Sequence, residues 1–265
     1  MSTGPRPVTP VGIAAELLAG VVERLGDPGL ADAPDDVRRD VARAHALVAG
    51  LDDYVARTTS PASSDLDALE QRTREVPWGG GLEQEMLSGH VEGAFLRMLV
   101  AVTGARQVLE IGMFTGYAAL AMAEALPAGG RVVACEVDEQ AAAVAREAFA
   151  SAAAGERVEV RMGDAQQTLR DLAGAGDRFD LVFLDADKAG YAAYVDALLD
   201  LDLLADGALV CVDNTLMQGE PWAAGAPSTN GRAIADFNER LAADPRVEQV
   251  LLPVRDGVTL VRRVP

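Results

Sequence analysis

Gln107-Val-Leu-Glu-Ile111-Gly112-Met-Phe-Thr-Gly116-Tyr117 decides the fold of this 265-residue chain. A short apolar run ends in a turn with two glycines and gives way to an alanine-rich stretch near 117–126. That is the order strand, tight turn, helix. The same grammar repeats downstream. Apolar runs at 131–135, 158–162, 179–184 and 208–213 alternate with helix-like stretches near 139–153, 165–173, 189–203 and 231–243. Such a series predicts a parallel α/β sheet with helices on both faces. The end breaks the pattern. At 247–253 and 258–264 two apolar runs flank Arg255-Asp-Gly257, and Asp-Gly there signals a hairpin, so an antiparallel strand is expected to end the sheet.

Upstream the periodicity is helical. From Val11 to Leu25 apolar residues recur three and four apart, and a second stretch runs from about 35 to 51 after the breaker Gly26-Asp-Pro-Gly29. Ser64 is a candidate N-cap for a third helix. Gly79-Gly-Gly81 after Trp78 reads as a hinge, so residues 1–80 are expected to form an N-terminal helical extension or cap and 81–265 the main domain.

Composition narrows the function. The formal net charge is −18, a field that opposes nucleic acid or an anionic membrane as partner. No apolar run approaches the roughly 20 residues that span a bilayer. The opening Met1-Ser-Thr-Gly-Pro-Arg-Pro7 lacks a basic flank before a hydrophobic core, so no signal peptide is expected. Cys135 and Cys211 lie in separate strand-like runs and read as buried free thiols, in keeping with a cytoplasmic protein. With only His45 and His90, no zinc spacing occurs, and any metal would be a hard cation on oxygen ligands.

The residues after each strand carry the chemistry, because open α/β sheets bind ligands at the carboxyl ends of their strands. Gly112 and Gly116 let backbone approach a ligand, but their spacing is not that of a pyrophosphate binder. Glu110 beside them disfavours phosphate and suits a cationic amino group. Glu136 can accept hydrogen bonds from a ribose, whereas Asp138 fits a helix cap better. Asp164 either caps the next helix or faces an adenine amine. A nucleoside carrying an amino acid and no phosphate satisfies these ends, and S-adenosylmethionine is that molecule. Farther along, Asp185-Ala-Asp187-Lys188 and Asp213-Asn214 bring three oxygen donors to adjacent strand ends, a set suited to Mg²⁺. Lys188 is the one lysine among 23 basic residues. An ammonium can be made to release its proton, whereas a guanidinium cannot.

From about Asp52 to the C-terminus the chain resembles the cation-dependent class I O-methyltransferases, the group containing the caffeoyl-CoA and catechol O-methyltransferases. The resemblance is carried by Met86-Leu-Ser88 with Glu92-Gly93-Ala-Phe-Leu96, Leu109 to Tyr117, Phe183 to Lys188, Asp213-Asn-Thr-Leu216, Phe237-Asn238, and Leu252-Pro with Asp256-Gly257. It implies a Rossmann-like methyltransferase fold with a mostly parallel seven-stranded sheet, and a homodimer. It also implies Asp185, Asp213 and Asn214 as ligands of Mg²⁺ or another divalent cation, with Lys188 as catalytic base. Ser88, Glu110, Gly112, Met113, Tyr117, Ala118, Glu136, Asp164, Ala165 and Asp187 fall where the family lines its cofactor pocket. Three departures stand out. Ala118 replaces the usual serine, Met217-Gln218 replaces a tryptophan-containing segment at the acceptor wall, and residues 1 to about 50 have no counterpart in the short forms.

The expected reaction is methylation of a hydroxylated small molecule, catechol-like or vicinally dihydroxylated. A phenol with a pKa of about 10 acidifies beside a cation, and Lys188 then removes its proton. A coenzyme A thioester acceptor is the alternative. A nicotinamide oxidoreductase would need the missing glycine pattern, and a non-catalytic homologue would be expected to have lost a metal ligand or the lysine.

Overall fold

The computed structural model describes residues 7–26, 34–223 and 225–264. The opening residues 1–6 and most of the breaker at 26–29 lie outside them. The chain divides into two compact units, one ending at Ser60 and one starting at Pro61.

The first unit holds α1 (Pro10–Leu25), α2 (Asp35–Ala49) and α3 (Leu51–Thr58). Thr9 caps α1 by accepting from the Gly12 N–H at 3.0 Å, and Pro10 follows at a position where a missing N–H is harmless.

The second unit begins with α4 (Ser64–Glu75). Its cap is Ser63 rather than Ser64, since the Ser63 hydroxyl accepts from Leu66 N–H at 3.2 Å. Leu66 and Leu69 are buried in this unit's core, so the compact boundary lies some twenty residues before the glycine run at 79–81. A helix not expected from periodicity follows, α5 (Gly89–Thr103).

Then come β1 (Gln107–Ile111), α6 (Tyr117–Ala125), β2 (Arg131–Glu136), α7 (Glu139–Ser151), β3 (Val158–Met162), α8 (Ala165–Ala175), β4 (Phe179–Leu184), α9 (Tyr191–Asp200), β5 (Leu204–Val212), α10 (Thr229–Ala242), β6 (Val247–Leu252) and β7 (Val258–Arg263). The seven strands form one sheet in the order β3-β2-β1-β4-β5-β7-β6. The first five are parallel, and β7 runs antiparallel to both β5 and β6. That is the expected fold, hairpin included.

Alternation along the strands builds two cores. Val108 and Phe183 pack on the face carrying Leu96 of α5 and Leu120 of α6. Leu109, Ile111, Val182 and Leu184 point to the other face, against Leu169 of α8, Leu198 of α9 and Phe237 of α10. A strand buried on both faces reads as continuous apolar sequence, as β1 and β4 do. β5 starts at Leu204, four residues before the expected 208. A register shift between Phe179 and Leu181 accommodates the polar Asp206-Gly207, which hid this start from the sequence. Among the described residues no helix is long and apolar enough to cross a membrane.

Candidate active site

Strand order reverses between β1 and β4, and the ends of β2, β1, β4 and β5 meet there. The ladder runs on past the strands. Gly112 and Met113 N–H groups donate to the Cys135 carbonyl at 3.2 and 3.0 Å, Asp185 N–H to Ile111 at 2.9 Å, and Asp213 N–H to Leu184 at 3.0 Å. These bonds set Gly112, Asp185 and Asp213 side by side.

Gly112 has a φ of 91°, and a Cβ there would collide with the Asp185 carbonyl, so bare backbone lines this point. Glu110 is 1% exposed, and its Oε2 has no hydrogen-bond partner among the described residues. Burial, then Asp185 and Glu136, hold its carboxyl well above the usual carboxylate range. A cationic amino group at Oε2 would relieve both faults. Glu136 receives three backbone N–H groups, from Val137 and Asp138 at 2.8 Å on Oε1 and from Phe114 at 2.6 Å on Oε2. Oε2 keeps a lone pair for a ligand hydroxyl. Phe114, with a φ of 53°, packs on Trp78 with ring centroids 4.8 Å apart. This aromatic pair beside Glu136 was not foreseen; an isolated tryptophan before a glycine run gave no periodic signal.

Other expected cofactor residues fall into place unevenly. Asp164 takes its capping option and accepts from Gln167 N–H at 2.7 Å, with Ala165 buried next to it. Asp138 caps α7, as expected. Asp187 is exposed and accepts from the Tyr194 hydroxyl at 2.8 Å. Met113 and Ala118 are buried beside Gly112 and Gly116, and Ser88 precedes α5 without a side-chain cap bond. Tyr117 turns the other way. Its ring lies against Gly93 of α5, and its hydroxyl, without a partner among the described residues, feels Glu70, Asp67 and Glu124.

On the neighbouring side Lys188 Nζ donates to Asp185 Oδ1 at 2.8 Å and to the Tyr191 hydroxyl at 2.7 Å. The Tyr191 hydroxyl donates in turn to the Asp213 carbonyl at 3.1 Å. Burial works against the Lys188 ammonium, but Asp185, Tyr191 and Asp213 outweigh it and hold its pKa above the ordinary value. Asp213 is 4% exposed, and burial and then Asp185 push its carboxyl up to about 6. Glu92 of α5 completes the group. It is buried, its Oε1 lacks a partner among the described residues, and Arg255 Nε stands 3.5 Å from its Oε2. Glu92, Tyr191 and Arg255 had been given no role on the sequence; a glutamate or tyrosine on a helix shows its burial only once the helix is packed.

The chemistry of the residues present suits both groups. The orphaned Glu110 oxygen, the bare Gly112 backbone and the free Glu136 lone pair suit an aminoacyl nucleoside. Asp185, Asp213 and Asn214 offer hard oxygen donors where two acids repel each other. Among the described residues no cluster of three His, Cys, Asp or Glu side chains is arranged to hold a metal; a cation here would be held by two carboxylates and an amide.

Comparison with known proteins supplies the family. Residues 54–264 match the family model described as O-methyltransferase. A caffeoyl-CoA O-methyltransferase of Petroselinum crispum is 38% identical over 205 residues, 74% of this chain and 82% of the relative. Among solved structures, an SAH-bound methyltransferase of Podospora anserina, PaMTH1, superposes with a TM-score of 0.74 at 30% identity, covering 83% of this chain and 96% of the other. An O-methyltransferase of Bacillus cereus in complex with SAH gives 0.69 at 32% identity, covering 80% and 96%. By family match, relatives and solved structures alike, the chain is an enzyme and belongs to the S-adenosylmethionine-dependent O-methyltransferase family.

Proposed function

We propose that the chain methylates one hydroxyl of a catechol-like or vicinally dihydroxylated small molecule, with Asp185, Asp213 and Asn214 holding Mg²⁺ or another divalent cation and Lys188 acting as general base. The observation that carries this reading is the Lys188 Nζ, 2.8 Å from Asp185 and anchored by Tyr191, beside two repelling carboxylates at the sheet's switch point.

S-adenosylmethionine, when bound, supplies an electrophilic methyl group and departs as S-adenosylhomocysteine. A divalent cation, when bound, supplies Lewis acidity that lowers an acceptor hydroxyl from a phenol's pKa of about 10. Glu110 holds the cofactor's amino group and Glu136 accepts from its ribose. Asp164, Asp187, Ser88, Gly112, Met113, Ala118 and Ala165 line or support the same cleft. Lys188, once its ammonium has released a proton to solvent, would take the hydroxyl proton at Nζ; a cation held by Asp185 would favour that release by replacing the Lys188–Asp185 contact that stabilises the ammonium. Tyr191 keeps the lysine in place through that exchange. Met217 and Gln218 wall the acceptor. Positioning of the two reactants by these rigid strand ends supplies much of the rate.

The names of the relatives favour a second reading, an acyl-CoA thioester as acceptor. The net charge of −18 weighs against it. S-adenosylhomocysteine release across simple phenols, catechols and caffeoyl-CoA, with Mg²⁺ and then with excess EDTA, tests both. Turnover of free vicinal diols, abolished by EDTA and restored by Mg²⁺, is expected. Turnover that ignores EDTA would remove the metal assignment, and turnover of the thioester alone would select the second reading. We take the protein further as a cytoplasmic homodimer with the N-terminal helices as an extension of the catalytic domain; light scattering of the purified full chain tests the dimer.

A further inference from the structure

The segment leaving β5 is strained. Asn214, Met217 and Gln218 have φ of 56°, 41° and 56°, and Gly219 follows at 87°. Non-glycine residues adopt that region only where surrounding structure imposes it. Here the imposition comes from the turn between β6 and β7, some forty residues on. Thr215 N–H donates to the Gly257 carbonyl at 3.0 Å and Leu216 N–H to the Asp256 carbonyl at 2.8 Å. Gln218 N–H donates to Asp256 Oδ1 at 2.6 Å. Thr259 and Thr215 hydroxyls meet at 2.9 Å, and Asn238 Nδ2 donates to the Thr215 carbonyl at 2.8 Å. At Gly257, φ 90°, a Cβ would strike Leu216, so turn and segment touch directly.

A hairpin turn needs Asp-Gly for its backbone and leaves the acid in solvent. Asp256 instead is 5% exposed, its carboxyl spent on the most strained part of another loop. The two bonds to backbone carbonyls survive any residue at 256; the third needs a side-chain oxygen at that point.

We propose that Asp256 is a positioning residue for methyl transfer. Its carboxyl pins Gln218, and through it the Asn214–Gly219 segment, in the conformation that presents Asn214 and the Met217–Gln218 wall to the acceptor. The clamp itself is independent of the functional reading, but its consequence for the acceptor rests on that reading. Asp256 acts through Gln218.

Three measurements on the full chain test it: amide exchange at Gln218, S-adenosylhomocysteine affinity by calorimetry, and steady-state kinetics with a diol acceptor. Asp256→Ala is expected to speed exchange at Gln218 and to raise the acceptor KM by about tenfold, the effect of losing one buried hydrogen bond. Affinity for S-adenosylhomocysteine stays within about twofold, since no cofactor contact is lost. Asp256→Asn keeps an oxygen acceptor and behaves like wild type in all three. Should Asp256→Ala fail to fold, Asp256→Glu replaces it, displacing the carboxyl from Gln218 while keeping the charge, with the same expected pattern. Unchanged exchange at Gln218 overturns the clamp. Cofactor affinity falling in step with the acceptor KM overturns the positioning role in favour of a general structural one, and Asp256→Asn as damaged as Asp256→Ala overturns the hydrogen-bond basis. If wild type turns over no hydroxylated acceptor, the proposed function fails, and the exchange arm still judges the clamp.

Discussion

Two acid-rich regions of this molecule behave in opposite ways. On the α9 and α10 side, Arg246 reaches Asp196 at 2.7 Å, Asp200 at 3.0 Å and Asp244 at 2.7 Å, while Arg240 takes the other Asp196 oxygen at 2.5 Å. These groups range from partly buried to exposed, each acid has an arginine, and hydrogen bonding from Arg246 holds the Asp244 carboxyl below its ordinary pKa. At the strand ends Asp185, Asp213, Glu92 and Glu110 are met by Lys188 and Arg255, and burial and mutual repulsion drive Asp213, Glu92 and Glu110 upward. The Arg246 cluster pairs each of its acids, whereas the buried acids at the strand ends are left short of positive charge. Buried like charges cost stability, so this deficit marks the place kept for cationic ligands.

Breaking the deficit at its reacting end should have the largest effect. Lys188→Arg retains the charge but removes the capacity to accept a proton, and turnover is expected to fall by about 10²–10⁴ with S-adenosylhomocysteine affinity unchanged. Turnover near wild type would remove Lys188 as the base. Asp213→Ala should abolish both activity and Mg²⁺ dependence, and residual activity indifferent to EDTA would remove Asp213 as a ligand. Glu110→Gln comes next. Cofactor affinity is expected to drop about tenfold or more as one charge-assisted contact is lost, while the ligand-free chain melts higher because a buried, repelled carboxyl is gone. Calorimetry and a thermal melt read both, and a lower melting point would mean that Glu110 is already paired.

The contrast also separates what the sequence carries from what packing adds. β1, β4 and the glycine turn were legible because doubly buried strands are written in apolar runs and because Gly112 and Gly116 punctuate them. Asp185 and Asp213 were legible because they stand immediately after strands, where a side chain has little choice of direction, and Lys188 because it is the one lysine of the chain and follows two carboxylates. Asp164 was ambiguous until its carboxyl was seen capping α8. Glu92, Tyr191 and Arg255 reach the same cluster from α5, from α9 and from the β6–β7 turn, and nothing local in a helix or hairpin says which distant strand it will face. Tyr117 shows the converse: its place beside the glycine turn suggested the cofactor pocket, yet the narrow space at Gly93 draws its ring to α5.

In the solvated region the same kind of substitution should do little. Arg246→Ala is expected to leave kcat and KM unchanged and to cause a small loss of thermal stability that high salt erases, because exposed pairs are weak and screened. A change in kcat would break the separation between the two regions.

The two regions also differ in sign with pH. Asp244, depressed, contributes stability above the ordinary carboxylate pKa and loses it as pH falls. Asp256 is the reverse. Burial first, with Asp213 adding and Gln218 N–H, Lys188 and Arg255 opposing, raises its carboxyl from 3.8 to about 7. Its contribution is therefore complete below about pH 4 and lost as pH rises through 7. Asp256→Asn cannot titrate yet keeps the bond to Gln218, so it should match wild type near pH 4 and exceed it near pH 8, by on the order of 1–3 kcal/mol in ligand-free protein. The difference between the two melting curves isolates this one group from every other acid. A variant that is less stable than wild type at pH 8 would mean that the Asp256 carboxylate is stabilised where it sits, and the strand-end region would then be balanced in the way the Arg246 lattice is.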